Sequence, residues 1–172
     1  MVSGMPGVAV AVVTADCVPI LACSEDGALV AAIHAGWRGL ACGVVAAAVE
    51  ALLVRLKPEQ RLYAVIGPHI GACCYEVDEP VTSALRARFG AALDGALRET
   101  RPGHARLALS SLARAELASG GVGFECQGDF TDACTYCDAD RFHSYRRDGA
   151  RAGRLLHHIA ASGSKRAGAN EG

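Results

Sequence analysis

Lysine is almost missing from this chain, with two residues against fifteen arginines in a length of 172. Together with abundant alanine, that imbalance reads as codon bias and carries no functional message. Neither sign of charge is in excess: the net charge is −1, which leaves no electrostatic footprint for a nucleic-acid or membrane-surface partner. No apolar run reaches the ~18 residues needed to span a bilayer. There is no Walker loop, no G-x-G-x-x-G, no nucleophile elbow and no internal repeat, so the common phosphate-loop, dinucleotide and serine-hydrolase signatures are set aside. The first residues carry no basic stretch, so we expect no secretion signal. Eight cysteines without one are then reduced thiols in a cytoplasm rather than a disulfide scaffold.

What is present is an ordinary globular composition, 51% apolar and 20% charged, long enough for one domain with a real core. The chain enters a buried-type strand almost at once, Val8 to Val13, and this leads us to expect further chain upstream. The most informative stretch runs from Thr14 to Gly39. Two short apolar strands, Val18 to Cys23 and Leu29 to His34, flank the turn residues Ser24-Glu25-Asp26-Gly27. A turn centred on Glu25-Asp26 sets Cys17 directly opposite His34, roughly 4.5–5.5 Å between Cβ atoms. A turn centred on Asp26-Gly27 makes them diagonal neighbours, roughly 7–8 Å apart. Either register puts a thiol beside an imidazole. That is half of a zinc site or a Cys–His nucleophile pair, although a buried cysteine and a hydrogen-bonded histidine suit the same spacing. Pro19 marks the first strand as an edge or a bulge.

Gly36-Trp37-Arg38-Gly39 then opens a helix expected over 40–56, with Leu40, Val44, Val45, Ala48, Leu52 and Leu56 on one stripe. A glycine-bounded helix start presents free N–H groups to an anion, and Arg38 adds a forked donor matched to phosphate. Gly36 and Gly39 belong to that candidate cradle.

Further on, 61–66 reads as a strand leading into the irregular loop Gly67-Pro68-His69-Ile70-Gly71. Cys73 and Cys74 follow as loop-lining thiols rather than a mutual disulfide, and a helix is expected over 79–89. Residues 90–106 read as surface helix and loop. A helix over 110–118 is expected to take Ser110 or Ser111 as its N-cap, and 122–130 reads as a strand. Cys134-Thr-Tyr-Cys137 is a C-x-x-C, half a zinc ribbon or a redox pair, with Cys126 nearby but no second C-x-x-C. Residues 142–149 read as a final strand in which Tyr145, Arg146 and Arg147 clamp an anion or stack on a base. Residues 1–159 form the domain, and 160–172 a frayed tail.

Together TADCVPIL, HAGWRG, GPHIGACCYEV and CTYCDADRFHSYRRDG resemble the YfiH-type laccase-domain family over about residues 6 to 159. Members have been named multicopper polyphenol oxidases and purine nucleoside phosphorylases. The resemblance implies a mixed α+β sandwich in the α/β class. It also implies a single zinc-type site with Cys17 and His34 as metal ligands, and Arg38 where phosphate or substrate is met. The implied substrates are adenosine, inosine, guanosine and methylthioadenosine with phosphate, with deamination of adenosine at the same site. Cys74, Tyr145 and Arg146 are the further candidates for substrate contact, and a monomer or homodimer is expected. The family's third ligand is a histidine in a QVHG-like segment that this chain lacks, so His69 or His143 is the available substitute. Copper follows from the older family name, but six histidines without an H-x-H pair do not furnish a trinuclear cluster.

Overall fold

The computed structural model describes residues 1–124 and 133–162. Its centre is a five-stranded sheet in the order β1-β4-β3-β5-β9. These strands are β1 (Val2–Ser3), β3 (Val18–Ser24), β4 (Val30–Ala35), β5 (Leu62–Ile66) and β9 (Gly123–Phe124). A second sheet pairs β2 (Ala9–Thr14) with β10 (Leu155–Ala160), antiparallel. A third sheet holds β6 (Glu76–Asp78), β7 (Leu97–Arg101) and β8 (His104–Leu107).

The central sheet is apolar on both faces, and each face has its own cover. Val18, Ile20, Ile33, Leu62 and Ile66 point to one side. There they meet Val45, Val49 and Leu52 of α2 (Val44–Leu53), Leu85 of α3 (Glu79–Phe89), and Leu112 and Leu117 of α4 (Leu109–Ser119). Val30 and Ala32 face the other way and pack with Val10 of β2 and Ala161 just past β10. The result is helices, sheet and small sheet in layers, the mixed α+β sandwich expected. Just past β10, Ala161 is buried and the Ser162 N–H donates to Gly27 O at 2.9 Å. No helix among the described residues is long and apolar enough to cross a membrane.

Several expectations are corrected. Pro19 lies in the central strand β3, not an edge. It is tolerated because it precedes the first β3–β5 pair, Ile20 with Ile66, so its missing N–H falls where no β5 residue is paired. The helix expected over 40–56 is split into α1 (Trp37–Ala41) and α2, because Gly43 takes a left-handed φ of 75°. Residues 97–107 form a hairpin where helix and loop were expected, with Gly103 at φ 75° supplying the turn. The N-cap of α4 is Ala108, and neither Ser110 nor Ser111 caps it. Within 122–130 a strand is present at Gly123–Phe124, Val122 just before it is buried but outside the strand, and 125–130, Cys126 included, lies outside the described residues.

Gly43 has a second constraint. A Cβ there would lie 2.8–3.0 Å from the Arg88 guanidinium, which reaches across from α3 to Glu116 of α4 at 2.8 Å. Gly43→Ala is therefore expected to destabilise the fold by roughly 1–2 kcal/mol from the left-handed backbone alone. Displacement of Arg88 adds to this. A urea denaturation series measures it, and an unchanged midpoint would refute the packing argument.

Candidate functional site

The β3–β4 register pairs Pro19 with His34, and the turn is centred on Asp26-Gly27. Cys17, one residue before β3, is thus diagonal to His34, the second of the two registers considered. The groups still meet: a Cβ built on Gly36 would lie 2.8 Å from Cys17 Sγ and 3.8 Å from His34 Nε2. The bare backbone of Gly36 leaves the space in which the thiol and imidazole face each other. Burial and the neighbouring Asp16 carboxylate push the Cys17 thiol up. That holds the sulfur protonated at neutral pH and speaks against a free thiolate nucleophile.

Arg38 is exposed and lies over the Trp37 ring, 4.3 Å from Cζ to centroid. The helix it opens, α1, has only five residues. Most of the macrodipole invoked for the anion cradle is therefore absent, and the guanidinium is the stronger part of the argument. Gly39 serves packing, since a Cβ there would meet Val44 Cγ1 at 3.1 Å and His34 O at 3.2 Å.

Tyr75 was not singled out by sequence reasoning. Burial foremost, then the nearby Cys17 and Asp16, push its phenol up to about 12 against the opposing pull of Arg146 and Arg38, so it is a hydrogen-bond donor at neutral pH. Arg146 covers its ring at 5.0 Å and also donates from Nη1 to Glu76 O at 2.8 Å. The segment 142–149, expected as a strand, instead contains the helical turn α5 (Tyr145–Asp148). Ser144 caps it by accepting from the Arg147 N–H at 3.2 Å. That turn aims Arg146 at the site. It leaves Tyr145 57% exposed and commits Arg147 to the carbonyls of Thr135, Tyr136 and Phe142.

A knot of hydrogen bonds holds these parts together. Asp16 is 7% exposed, with φ 88°. Its carboxylate accepts from Thr135 Oγ1 at 2.7 Å and from the Arg146 N–H at 2.6 Å. Its carbonyl accepts from the Ile70 N–H at 2.9 Å.

The substitute ligands do not reach the pair. His69 is 1% exposed, shares a hydrogen bond with Gly67 O at 2.9 Å, and is kept neutral chiefly by burial. His143 is exposed and packs its ring against Gly153. A second histidine that was missed, His157 of β10, stands closer. It shares a 2.9 Å hydrogen bond with Thr14 Oγ1, and burial first, then His34, lowers its pKa. Its signal was the alternation of β10, which turns His157 inward and His158 outward. Even so, among the described residues no group of three potential ligands forms around Cys17 and His34. A catalytic zinc takes three protein ligands and an open position. The two donors are of the right type, but as a complete set they do not fit it. Cys74, expected toward the substrate, turns its sulfur to Cys137 instead, at 3.3 Å.

The family model described as multi-copper polyphenol oxidoreductase laccase matches residues 1–162. With the layered fold and the Cys17–His34 mouth in view, the chain belongs to this laccase-domain, YfiH-type family. A purine nucleoside phosphorylase of Pseudomonas aeruginosa is 43% identical over 153 residues, 89% of this chain and 60% of its own length. The purine nucleoside phosphorylase YfiH of Escherichia coli is 42% identical, over 85% of this chain and 57% of its own. Among solved structures, a Neisseria meningitidis protein superposes with a TM-score of 0.83 at 39% identity, covering 94% of this chain and 64% of its own. Bacillus licheniformis YfiH gives 0.82 at 32%, covering 94% and 60%. The chain thus spans about 60% of the length of the relatives it matches.

Proposed function

We propose that the mouth formed by Cys17, His34, Arg38, Tyr75 and Arg146 takes a purine nucleoside and inorganic phosphate and yields free base and sugar 1-phosphate. One observation carries this reading: an aromatic ring and two guanidinium groups gather beside the thiol–imidazole pair. The names of the similar phosphorylases support it. In this reading Arg38 pairs with phosphate through its fork. The Tyr75 ring with Arg146 over it forms a flat cationic wall for the base. A phosphate oxygen attacks ribose C1′ as the C1′–N9 bond breaks, and the bonding pair leaves with the base, which takes up a proton. Holding both reactants in line supplies much of the rate.

No step is routed through a metal, because the ligand set among the described residues is short by one. Copper-dependent polyphenol oxidation is the weaker reading, since no histidine cluster occurs among the described residues.

The test is release of free base from adenosine and inosine, with and without phosphate, while inosine formed from adenosine is followed in the same samples. Arg38→Ala is expected to raise the KM for phosphate by roughly 10- to 100-fold, the worth of a charge-assisted contact. Tyr75→Ala is expected to weaken nucleoside binding without altering the phosphate KM. Base release independent of phosphate, or indifferent to Arg38, would overturn the proposal. So would no release at all.

A further inference from the structure

Behind the loop that carries Tyr75, two pairs of cysteines converge. Cys73 and Cys74 sit in a tight turn in which the Cys74 and Tyr75 N–H groups both donate to Gly71 O, at 3.0 and 3.1 Å. Cys134 and Cys137 come from the C-x-x-C segment, brought alongside by a parallel bridge between His69 and Cys134. All four sulfurs lie within 4.8 Å of one another, with Cys73 and Cys74 at 3.8 and 3.3 Å from Cys137. Zinc–sulfur bonds of about 2.3 Å in a tetrahedron place sulfurs about 3.8 Å apart. The cluster therefore needs to contract only slightly to coordinate.

The surroundings are also those of a metal thiolate. The Gly71 N–H donates to Cys134 Sγ at 3.2 Å. The backbone N–H groups of Cys137 and Tyr136 point at the same sulfur, so that although burial pushes this thiol up, the net effect of its partners is to hold it below the usual range. Arg147 grips the Thr135 and Tyr136 carbonyls and so fixes the peptide planes that aim those donors. Burial, then Cys134 and Cys137, push Cys73 up against the opposing Cys74 contact, and burial with the sulfurs of Cys137, Cys73 and Cys134 pushes Cys74 up. Four thiols this close cannot all ionise unless a cation neutralises them.

We propose that Cys73, Cys74, Cys134 and Cys137 form a tetrathiolate site for a thiophilic d10 metal ion, zinc in the first place, separate from the Cys17–His34 mouth. A tetrahedral four-sulfur set is closed, with no open coordination position, so its work is structural. Binding releases the thiol protons to solvent and forms four metal–sulfur bonds with no change of oxidation state. The ion staples the loop carrying Tyr75 to the segment whose Thr135 holds Asp16, and so braces the mouth from outside.

The experiment measures zinc per chain on protein purified under reducing conditions, in wild type and in the Cys17→Ser/His34→Ala double variant. One zinc is expected to remain in the double variant and to resist dialysis against a chelator. Cobalt substituted into that variant is expected to show thiolate-to-cobalt charge-transfer absorption, and Cys137→Ser is expected to weaken metal binding by more than about 100-fold. Because a cysteine variant could fail to fold, alkylation of the wild-type chain gives a second readout. Cys73 and Cys137, both exposed, should react at least about tenfold more slowly with metal bound than after its removal. A double variant without metal and without charge-transfer absorption would overturn the proposal. So would a Cys74–Cys137 disulfide that forms and is reduced with no metal present, which would make the group a redox pair.

Discussion

Gly36→Ala is expected to lower kcat/KM for the proposed phosphorolysis about 100-fold while leaving the fold nearly as stable as before. The reason is space rather than torsion. Gly36 sits at φ −73°, ψ 168°, a conformation any residue adopts, so alanine adds no backbone strain. Its Cβ, however, would stand 2.8 Å from Cys17 Sγ, inside van der Waals contact, and it would occupy the gap facing His34 Nε2. The thiol must swing away or the loop must shift by a fraction of an ångström. Misplacement of reacting groups on that scale costs about two orders of magnitude in rate. Overpacking at a half-open site costs far less in stability, about 1 kcal/mol. Gly95→Ala is the control, since a Cβ there meets nothing within 4 Å. Full activity in Gly36→Ala, with Gly95→Ala equally active, would mean that Cys17 and His34 do not work as a pair.

How much of this was legible beforehand differs from place to place, for physical reasons. The Cys17–His34 hairpin could be read because a two-residue period and a Ser-Glu-Asp-Gly turn fix register locally, and the true register was one of only two admitted. Helix α3 matched residue for residue, with Pro80 in its first turn and Gly90 just past its end. By contrast, the segment 142–149, expected as a strand, contains the helical turn α5. The cue that mattered was Ser144 three residues before an N–H it could cap. The hairpin at 97–107 was hidden in the same way, although Pro102-Gly103 is turn chemistry.

The four-cysteine cluster was beyond local reading altogether. Its two halves have different spacings, adjacent in one and C-x-x-C in the other, and Cys137 meets its partners across 63 and 64 residues. The pairing of His69 with Cys134, and the Gly71 N–H bond to Cys134 Sγ beside it, bring them together. Tyr75 and His157 were missed for a related reason. An aromatic residue in a loop and an inward histidine on a late strand acquire meaning from what other segments set beside them, and no period within their own segment reports it.

The same dependence on distant segments makes Asp16 the most consequential residue outside the mouth itself. Asp16→Ala is expected to destabilise the chain by about 2–4 kcal/mol. It removes the acceptor of Thr135 Oγ1 and of the Arg146 N–H at once, two bonds to a buried carboxylate whose donors are then left to find other partners. The β-carbon also stays at φ 88°, where a non-glycine side chain gains only if its polar head is hydrogen-bonded locally. Asp16→Gly loses the same bonds but sheds the β-carbon, so it should be about 1 kcal/mol less harmful than alanine. Asp16→Asn keeps one carbonyl acceptor and should fall between alanine and wild type. The order wild type, Asn, Gly, Ala in urea midpoint would separate hydrogen bonding from backbone strain. Activity should fall further than stability in all three, because Asp16 ties the turn bearing Arg146 to the loop bearing Cys17. Once released, the two walls no longer hold the thiol and the guanidinium at a fixed separation. An Asp16→Ala protein with an unchanged urea midpoint would show that Thr135 and Arg146 are held by other contacts, and that the mouth does not depend on this knot.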